Sequence, residues 1–130
     1  MRAPSRFGCE WCWPASPESA WEARRTLTKD SDLVDESHFH VAIGTCGRCG
    51  QRFVSVFTET IDWADGDDPQ DWTQLPITAA EAATLRWAGD TLKSALHGLG
   101  LARRSLRHDC PKGRPARLFW STGLFVGPHD

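Results

Sequence analysis

The sequence has no long apolar run, and this absence limits the classes of protein to consider. No stretch approaches the roughly 20 apolar residues that a membrane-spanning helix needs, so we expect no transmembrane segment and no membrane partner. The sequence also has no glycine-rich phosphate loop, no dinucleotide fingerprint and no paired carboxylates typical of acid–base catalysis. Nucleotide-dependent and membrane-embedded functions therefore have no support in the sequence.

Other absences concern targeting and aromatic composition. Residues 1–8 contain two arginines but no apolar segment behind them, so they do not resemble a secretory signal, and the cytoplasm is the predicted compartment. The chain has no tyrosine, although it has seven tryptophans. Its 130 residues predict one domain over residues 1–130, small enough to gain stability from a metal ion.

Basic residues are absent from residues 53–85, and this gap divides the charge of the chain. Seven acidic residues lie in the gap, among them Asp65, Asp67 and Asp71, whose spacing does not match the twelve-residue calcium loop. We interpret them as part of a solvated loop. The basic residues that follow include Arg103, Arg104, Arg107, Lys112, Arg114 and Arg117. The two regions either attract each other within the fold or face different partners.

Cysteine is the residue type with the clearest pattern. There are five cysteines, and four of them form two C-x-x-C pairs, Cys9 with Cys12 and Cys46 with Cys49. This pattern fits metal ligation in a reducing compartment better than a disulfide framework. Each C-x-x-C turn brings two thiolates to one ion, and two such turns complete the tetrahedron that zinc prefers. We therefore predict one structural Zn²⁺, with Cys110 left over.

The two cysteine turns, or knuckles, resemble those of the zinc ribbon class, in which C-x-x-C turns at the ends of β-hairpins hold zinc. The resemblance covers residues 7–63, and the long gap between the pairs predicts an insertion between them. An iron site of the rubredoxin kind uses the same four ligands and would make the protein an electron carrier. A thiol-redox role is a further alternative, although neither pair has the βαβ context of thioredoxin-type motifs.

Local patterns in the first half predict one short helix and two strands. Ser16 followed by Pro17 is typical of a helix start. Alternation over residues 39–43 and the β-branched, aromatic run over residues 52–58 indicate strands joined by the second knuckle. An acidic loop is expected over residues 64–74.

The second half predicts one amphipathic helix over residues 78–99. It starts with the capping box Thr78-Ala79-Ala80-Glu81. Its apolar stripe consists of Leu85, Ala88, Leu92, Leu96 and Leu99. Residues 101–130 are expected to form a basic segment and two short strands, at residues 118–120 and 124–126. The predicted fold class is therefore α+β, a small zinc-clamped antiparallel β-ribbon or sheet packed against one helix.

Four more residues have chemistry that requires an interpretation. His38 and His40 lie beside the second knuckle, but a four-cysteine site needs no further ligand, so we interpret them as ordinary strand residues. His108 and Cys110 could form a base and a nucleophile only if a turn brings them together. We expect Cys110 to be an unreactive thiol.

The predicted function is binding rather than catalysis. A closed four-cysteine site has no open position for substrate or water, which argues against zinc-dependent hydrolysis. Tryptophans beside a rigid knuckle, Trp11 and Trp13, suit contact with another protein. We therefore predict a non-catalytic adaptor, regulatory or inhibitor-like module with a protein partner. A zinc ribbon that binds nucleic acid through the basic segment is the alternative.

Overall fold

The computed structural model describes residues 7–129 of an α+β fold. The N-terminal residues 1–6, which include most of the segment used to argue against a signal, and residue 130 lie outside that range. The strands are β1 (Thr28–Glu36), β2 (Phe39–Thr45), β3 (Arg52–Glu59), β4 (Gln70–Ile77), β5 (Arg104–Cys110) and β6 (Arg117–Thr122). The helices are α1 (Pro17–Ala23), α2 (Ala79–Arg86) and α3 (Leu92–Gly98). Among the described residues, no helix has the length and apolar character needed to cross a membrane.

The six strands form one antiparallel sheet in which spatial order follows chain order, from β1 to β6. The central hairpin pairs Val41 with Val56 and Ile43 with Val54. This confirms both strands predicted around the second knuckle, where β-branched residues favour the pleated conformation. The helix predicted after Ser16 is also confirmed, as α1. The Ser16 hydroxyl caps it by accepting a hydrogen bond from the Ser19 backbone N–H.

The sheet buries side chains on both of its faces, because successive residues of a strand point to opposite sides. The first face, here called the helical face, packs against α2 and α3. Its buried residues are Phe39, Val41, Ile43, Val54, Val56, Leu75 and Ile77. The opposite face, here called the aromatic face, packs against the segment of residues 7–27. It contributes Phe53, Trp72, Leu106, Leu118 and Trp120. The fold therefore has three layers, with the sheet in the middle.

The prediction of one continuous helix over residues 78–99 is wrong, because the structure has two helices there. The capping box is present, since the Thr78 hydroxyl and the Glu81 carboxylate each accept a backbone hydrogen bond. The chain leaves α2 at Trp87 and makes a short 3₁₀ turn before α3, with Gly89 at φ +54°. A glycine in the left-handed conformation interrupts a helix. The apolar stripe nevertheless continues across the break, and both helices bury their part of the stripe against the sheet.

The predicted acidic loop over residues 64–74 is too long, because β4 begins at Gln70. β1 was not predicted, since its sequence is polar and most of it is exposed. It lies at the edge of the sheet with two register shifts against β2. Edge strands tolerate charge and irregular pairing because only one side is hydrogen-bonded. Hydrophobic periodicity therefore gave no signal there.

The C-terminal strands differ from the prediction in their positions. Part of the basic segment forms β5, and the predicted strand at residues 118–120 is the middle of β6. Residues 124–126 form no strand, and Leu124 and Val126 instead pack against the helical face. Leu124 and Val126 are half-buried and Phe125 is 37% exposed, so the strand predicted for this segment is wrong.

Candidate metal centre

The second knuckle is the turn that joins β2 to β3. Cys46 donates its backbone N–H to Gln51 O and accepts at its own carbonyl from the Gly50 N–H, both at 2.9 Å. Gly50 has φ +80°, a conformation that favours glycine. The Arg48 N–H points at Cys46 Sγ, 3.4 Å away. Hydrogen bonds to sulfur of this kind stabilise thiolate ligands in metal sites.

The first knuckle is built in the same way but does not lie on a hairpin. Trp13 donates its backbone N–H to Cys9 O at 2.9 Å, and the Cys9 N–H lies 3.3 Å from Cys12 Sγ. The turn is preceded by Gly8 at φ +73°, where an added Cβ would come within 2.5 Å of Trp13 Cβ. The chain then enters α1 rather than a returning strand, so the insertion predicted between the pairs is α1 and β1.

Gln51 connects the two knuckles, and sequence reasoning missed it. Its Oε1 accepts from the Gly8 N–H at 2.9 Å. Its Nε2 donates to the carbonyls of Arg52 and Ile77, both at 2.8 Å. One side chain thus fixes the start of the first knuckle to β3 and β4. A lone glutamine after a C-x-x-C-Gly turn carries no sequence signal for a contact that spans 43 positions.

The four cysteine sulfurs converge on one point. The Sγ atoms of Cys9 and Cys12 are 3.7 Å apart, those of Cys9 and Cys46 are 3.9 Å apart, and those of Cys12 and Cys49 are 3.7 Å apart. All four lie within 4.8 Å of one another. A tetrahedron with zinc–sulfur bonds of about 2.3 Å has sulfur–sulfur edges of about 3.8 Å, whereas a disulfide would need about 2.05 Å. The donor set therefore fits one tetrahedral ion.

The electrostatics of the cluster also favour a cation. The pKa of Cys9 falls to about 7, chiefly because the Cys12 backbone N–H bonds its sulfur and outweighs the effect of burial. Burial raises the pKa of Cys12 and of Cys49. Ionising Cys12 and Cys49 without a cation is therefore unfavourable, and a divalent ion would hold them as thiolates. Within the described residues this is the one group of metal-ligating side chains.

The two tryptophans predicted to contact a partner have different environments. Trp13 is 9% exposed and packs against Phe53 and Trp120, with ring centroids 5.3 and 5.0 Å away. It is therefore part of the core and does not face a partner. Trp11 is 63% exposed, with the Arg48 guanidinium 3.9 Å from its ring centroid. Only one of the pair remains a surface residue.

The acidic and basic regions of the sequence meet within the fold. Three basic side chains form ion pairs of 2.7 to 2.9 Å with carboxylates of the acidic region: Arg103 with Glu81, Arg107 with Asp71, and Lys112 with Asp62 and Asp65. Arg117 pairs with Asp109, which belongs to the basic region itself. Arg104 instead lies over the Trp120 ring at 3.8 Å and donates to Pro14 O. Arg114 is exposed, with no polar side-chain contact among residues 7–129. The sequence left open whether the acidic and basic regions attract each other within the fold or face different partners, and the structure shows that they attract each other.

The remaining histidines and the fifth cysteine lie outside the cluster. His38 contacts Glu59 at 3.0 Å, and His40 contacts a carboxylate of β1. His108 and Cys110 come together without the turn that we expected, because residues two apart on a strand share a face; their Nδ1 and Sγ atoms are 3.6 Å apart. Burial lowers the pKa of His108 and raises the pKa of Cys110, so both groups are neutral near pH 7 and provide no thiolate nucleophile.

Comparison with protein-family models, with curated proteins and with solved structures found no match to this chain. The class of the protein therefore rests on its own geometry. A four-cysteine cluster carried by an antiparallel sheet is consistent with a zinc ribbon.

Proposed function

We propose that this protein is a structural-zinc protein that acts as a non-catalytic protein-interaction module. The observation that carries the proposal is the four-sulfur cluster, in which three sulfur–sulfur distances of 3.7 to 3.9 Å match the edges of a zinc–thiolate tetrahedron. The cluster joins the N-terminal segment to the β2–β3 hairpin. Cys9, Cys12, Cys46 and Cys49 would hold the ion. With four protein ligands the ion has no open position, so it would crosslink the fold rather than act on a substrate.

The surface beside the cluster suits a protein partner. A groove of about 770 Å³ runs between the two knuckles and α1. Trp11, Pro14 and Ala23 supply its apolar part, and the acidic residues along it are Glu10, Glu18 and Glu22. Arg48 is the one basic residue among those that line it. This combination fits a partner segment in which lysine or arginine lies next to an apolar side chain.

Nucleic acid is a weaker alternative on this structure. Binding to phosphates requires several cations that are free to contact the backbone of the nucleic acid. Four of the six basic residues that we considered are ion-paired within the fold, and Arg104 is stacked on Trp120. An electron-transfer role depends on iron replacing zinc in the same ligand set. Metal analysis of the purified protein decides that point, because we expect one zinc and no visible absorbance.

The interaction is tested by placing a photo-crosslinking amino acid at position 11 and, as a matched control, at position 87. Trp87 is also exposed, at 87%, but lies at the end of α2, outside the groove. We expect position 11 to crosslink one protein in the native cell, at a segment rich in lysine or arginine. The crosslink should survive nuclease treatment and disappear when Glu18 and Glu22 are both changed to lysine.

Two outcomes would contradict the proposal. Equal crosslinking of many proteins from positions 11 and 87 would show that the groove has no specific partner. A crosslinked species that is lost on nuclease treatment would point to nucleic acid instead.

A further inference from the structure

A second, smaller pocket lies on the aromatic face, away from the cluster. It has a volume of about 190 Å³ and lies between the end of α1, the start of β1 and the middle of the sheet. The polar groups around it belong to Arg24, Lys29, Ser55 and Gln74, and Trp72 forms an apolar wall. Its volume equals the share of about six water molecules in the liquid, which is enough for a small organic ion.

Two residues that line this pocket each have a buried side-chain N–H donor without a partner among residues 7–129. Gln74 is 2% exposed, and its Nε2 has no acceptor within residues 7–129. The Nε of Arg24 is also buried and unpartnered within the same residues. Buried donors are rarely left unsatisfied, because each one costs about 1–3 kcal/mol. Since both groups are N–H donors, the missing partner is an acceptor.

The charge of the pocket indicates an anionic acceptor. The Arg24 guanidinium lies 3.6 Å from the Trp21 ring centroid and 5.8 Å from that of Trp72, and it has no ion pair among the described residues. Burial and the neighbouring Arg25 lower the pKa of Arg24, against a smaller opposing effect of Glu22, which makes no ion pair with it. Lys29 adds a second positive charge, although its exposed ammonium pairs with Asp32 at 2.9 Å. Among the residues that the structure describes, Arg24 is therefore a cation of the pocket without a direct ion pair.

We propose that this pocket binds a small carboxylate that carries a short apolar or aromatic body. The carboxylate oxygens accept hydrogen bonds from Arg24 and Gln74, and the body packs against Trp72 and Leu27. A guanidinium and a primary amide present in-plane N–H donors, which match the planar carboxylate better than a tetrahedral phosphate. The proposal does not depend on a protein partner at the Trp11 groove, although the two sites adjoin at the end of α1, where Ala23 lines the groove and Arg24 lines the pocket.

The test is an NMR titration of the zinc-loaded protein with benzoate as the probe and with inorganic phosphate as the comparison anion. We expect saturable shifts of the Gln74 side-chain amide and the Trp72 indole signals with benzoate, and none with phosphate. Arg24→Gln should weaken benzoate binding about tenfold or more, the equivalent of losing one charge-assisted hydrogen bond. Arg25→Gln is the matched control, because Arg25 is exposed and pairs with Glu22, and it should bind benzoate like the original protein.

A second variant separates binding from folding. Gln74→Leu removes the unpartnered donor at similar volume, so the ligand-free variant should melt at the same temperature or higher while losing benzoate affinity. The inference is overturned if benzoate produces no saturable shift, which would mean that water alone fills the pocket. It is also overturned if phosphate binds as well as benzoate, or if Arg24→Gln and Arg25→Gln behave alike.

Discussion

The two faces of the sheet are stabilised by different kinds of interaction. The helical face is aliphatic, and most of its buried residues come from three neighbouring strands and from α2 and α3. The aromatic face combines cysteine, tryptophan and phenylalanine with arginines that lie over aromatic rings, such as Arg104 over Trp120 at 3.8 Å. Hydrophobic burial dominates the first face, beside one buried ion pair between Arg107 and Asp71, and the second face combines burial with the four-cysteine cluster and cation–π contacts.

The difference follows from the segments that cover each face. The cover of the helical face consists of two helices that bury a continuous apolar stripe. The cover of the aromatic face is residues 7–27, whose one α-helix has seven residues and a single buried residue, Ala20. A helix of that length is not stable by itself in water. In the proposed zinc-bound state, crosslinking this segment to the hairpin through four thiolates would compensate for its small apolar area.

Removal of the metal should have the largest effect and should separate the two faces. Structural zinc in zinc-finger peptides binds with about 10–16 kcal/mol of apparent free energy, which is comparable to the whole stability of many domains. With Cys12→Ser or a chelator, we expect loss of the near-UV circular dichroism of Trp13 and Trp120 and loss of the native thermal transition. Hydrogen exchange should speed up first in residues 7–27.

Cys110→Ser is the matched control for metal removal, because Cys110 is a cysteine outside the cluster. It should keep one zinc and almost the same thermal midpoint. If Cys12→Ser were as stable as Cys110→Ser, the cluster would not contribute to the fold.

Arg107→Met tests the buried ion pair on the helical side of the sheet, and it should cost about 3–5 kcal/mol of the unfolding free energy. Arg107 donates to both carboxylate oxygens of Asp71, which is buried. Burial already raises the pKa of Asp71 against the opposing effect of Arg107. The loss of unfolding free energy in Arg107→Met should therefore shrink as the pH falls through that raised pKa and the Asp71 carboxylate is protonated. Denaturant unfolding of both proteins at several pH values measures this loss.

The control for that prediction is Arg117→Met, which removes an ion pair whose arginine is 65% exposed. Exposed pairs are worth less than about 1 kcal/mol. A loss for Arg107→Met no larger than that for Arg117→Met would show that Asp71 is solvated.

Leu96→Ala should destabilise the helical face by about 3 kcal/mol, because Leu96 is fully buried against the sheet and its loss leaves a cavity. Leu101→Ala is the control, since Leu101 is 66% exposed and should change stability by less than about 0.5 kcal/mol. Zinc stoichiometry should stay at one in both variants. Loss of zinc from Leu96→Ala would mean that the two faces are not energetically separable.

Glu81→Gln should have the smallest effect, a loss of about 1–2 kcal/mol at pH 7, since Glu81 caps α2 and receives two hydrogen bonds from Arg103. Although burial alone would raise the pKa of Glu81, Arg103 and the Thr78 N–H hold it below its ordinary value. The stabilisation is thus fully present above the unfolded-state pKa and is lost as the pH falls through the lower folded-state pKa. The difference in unfolding free energy between the original protein and Glu81→Gln should disappear over that acidic range. A difference that stays constant with pH would contradict this explanation.

Much of the helical face could be predicted from the sequence. Alternation over residues 39–43, the run over residues 52–58 and the stripe from Leu85 to Leu96 are local patterns with a known period. The break at Gly89 was missed because one glycine is tolerated within many helices, and the apolar stripe continues across it. β1 was missed because a polar edge strand has no periodic signal.

The sequence predicted the four cysteines of the candidate metal centre but not the contacts that surround them. C-x-x-C spacing is local, so the two cysteine pairs could be assigned without a structure. The role of Gln51, the burial of Trp13 and the pairing of His108 with Cys110 depend on which strands are neighbours and on their register. The ion pairs were left open for the same reason, since composition gives the charges but not their distances.

By itself, the sequence determined the two C-x-x-C pairs, the central hairpin, the two capped helix starts and the apolar stripe, because each of these is encoded within a few residues along the chain. Only the tertiary structure decided that the N-terminal segment covers a second face of the sheet, that the basic and acidic regions neutralise each other, and that Gln74 and Arg24 line one pocket. Those features depend on strand order and register, which bring together residues as many as 105 positions apart. Contacts of that kind are fixed by the packing of the whole chain and not by any local pattern.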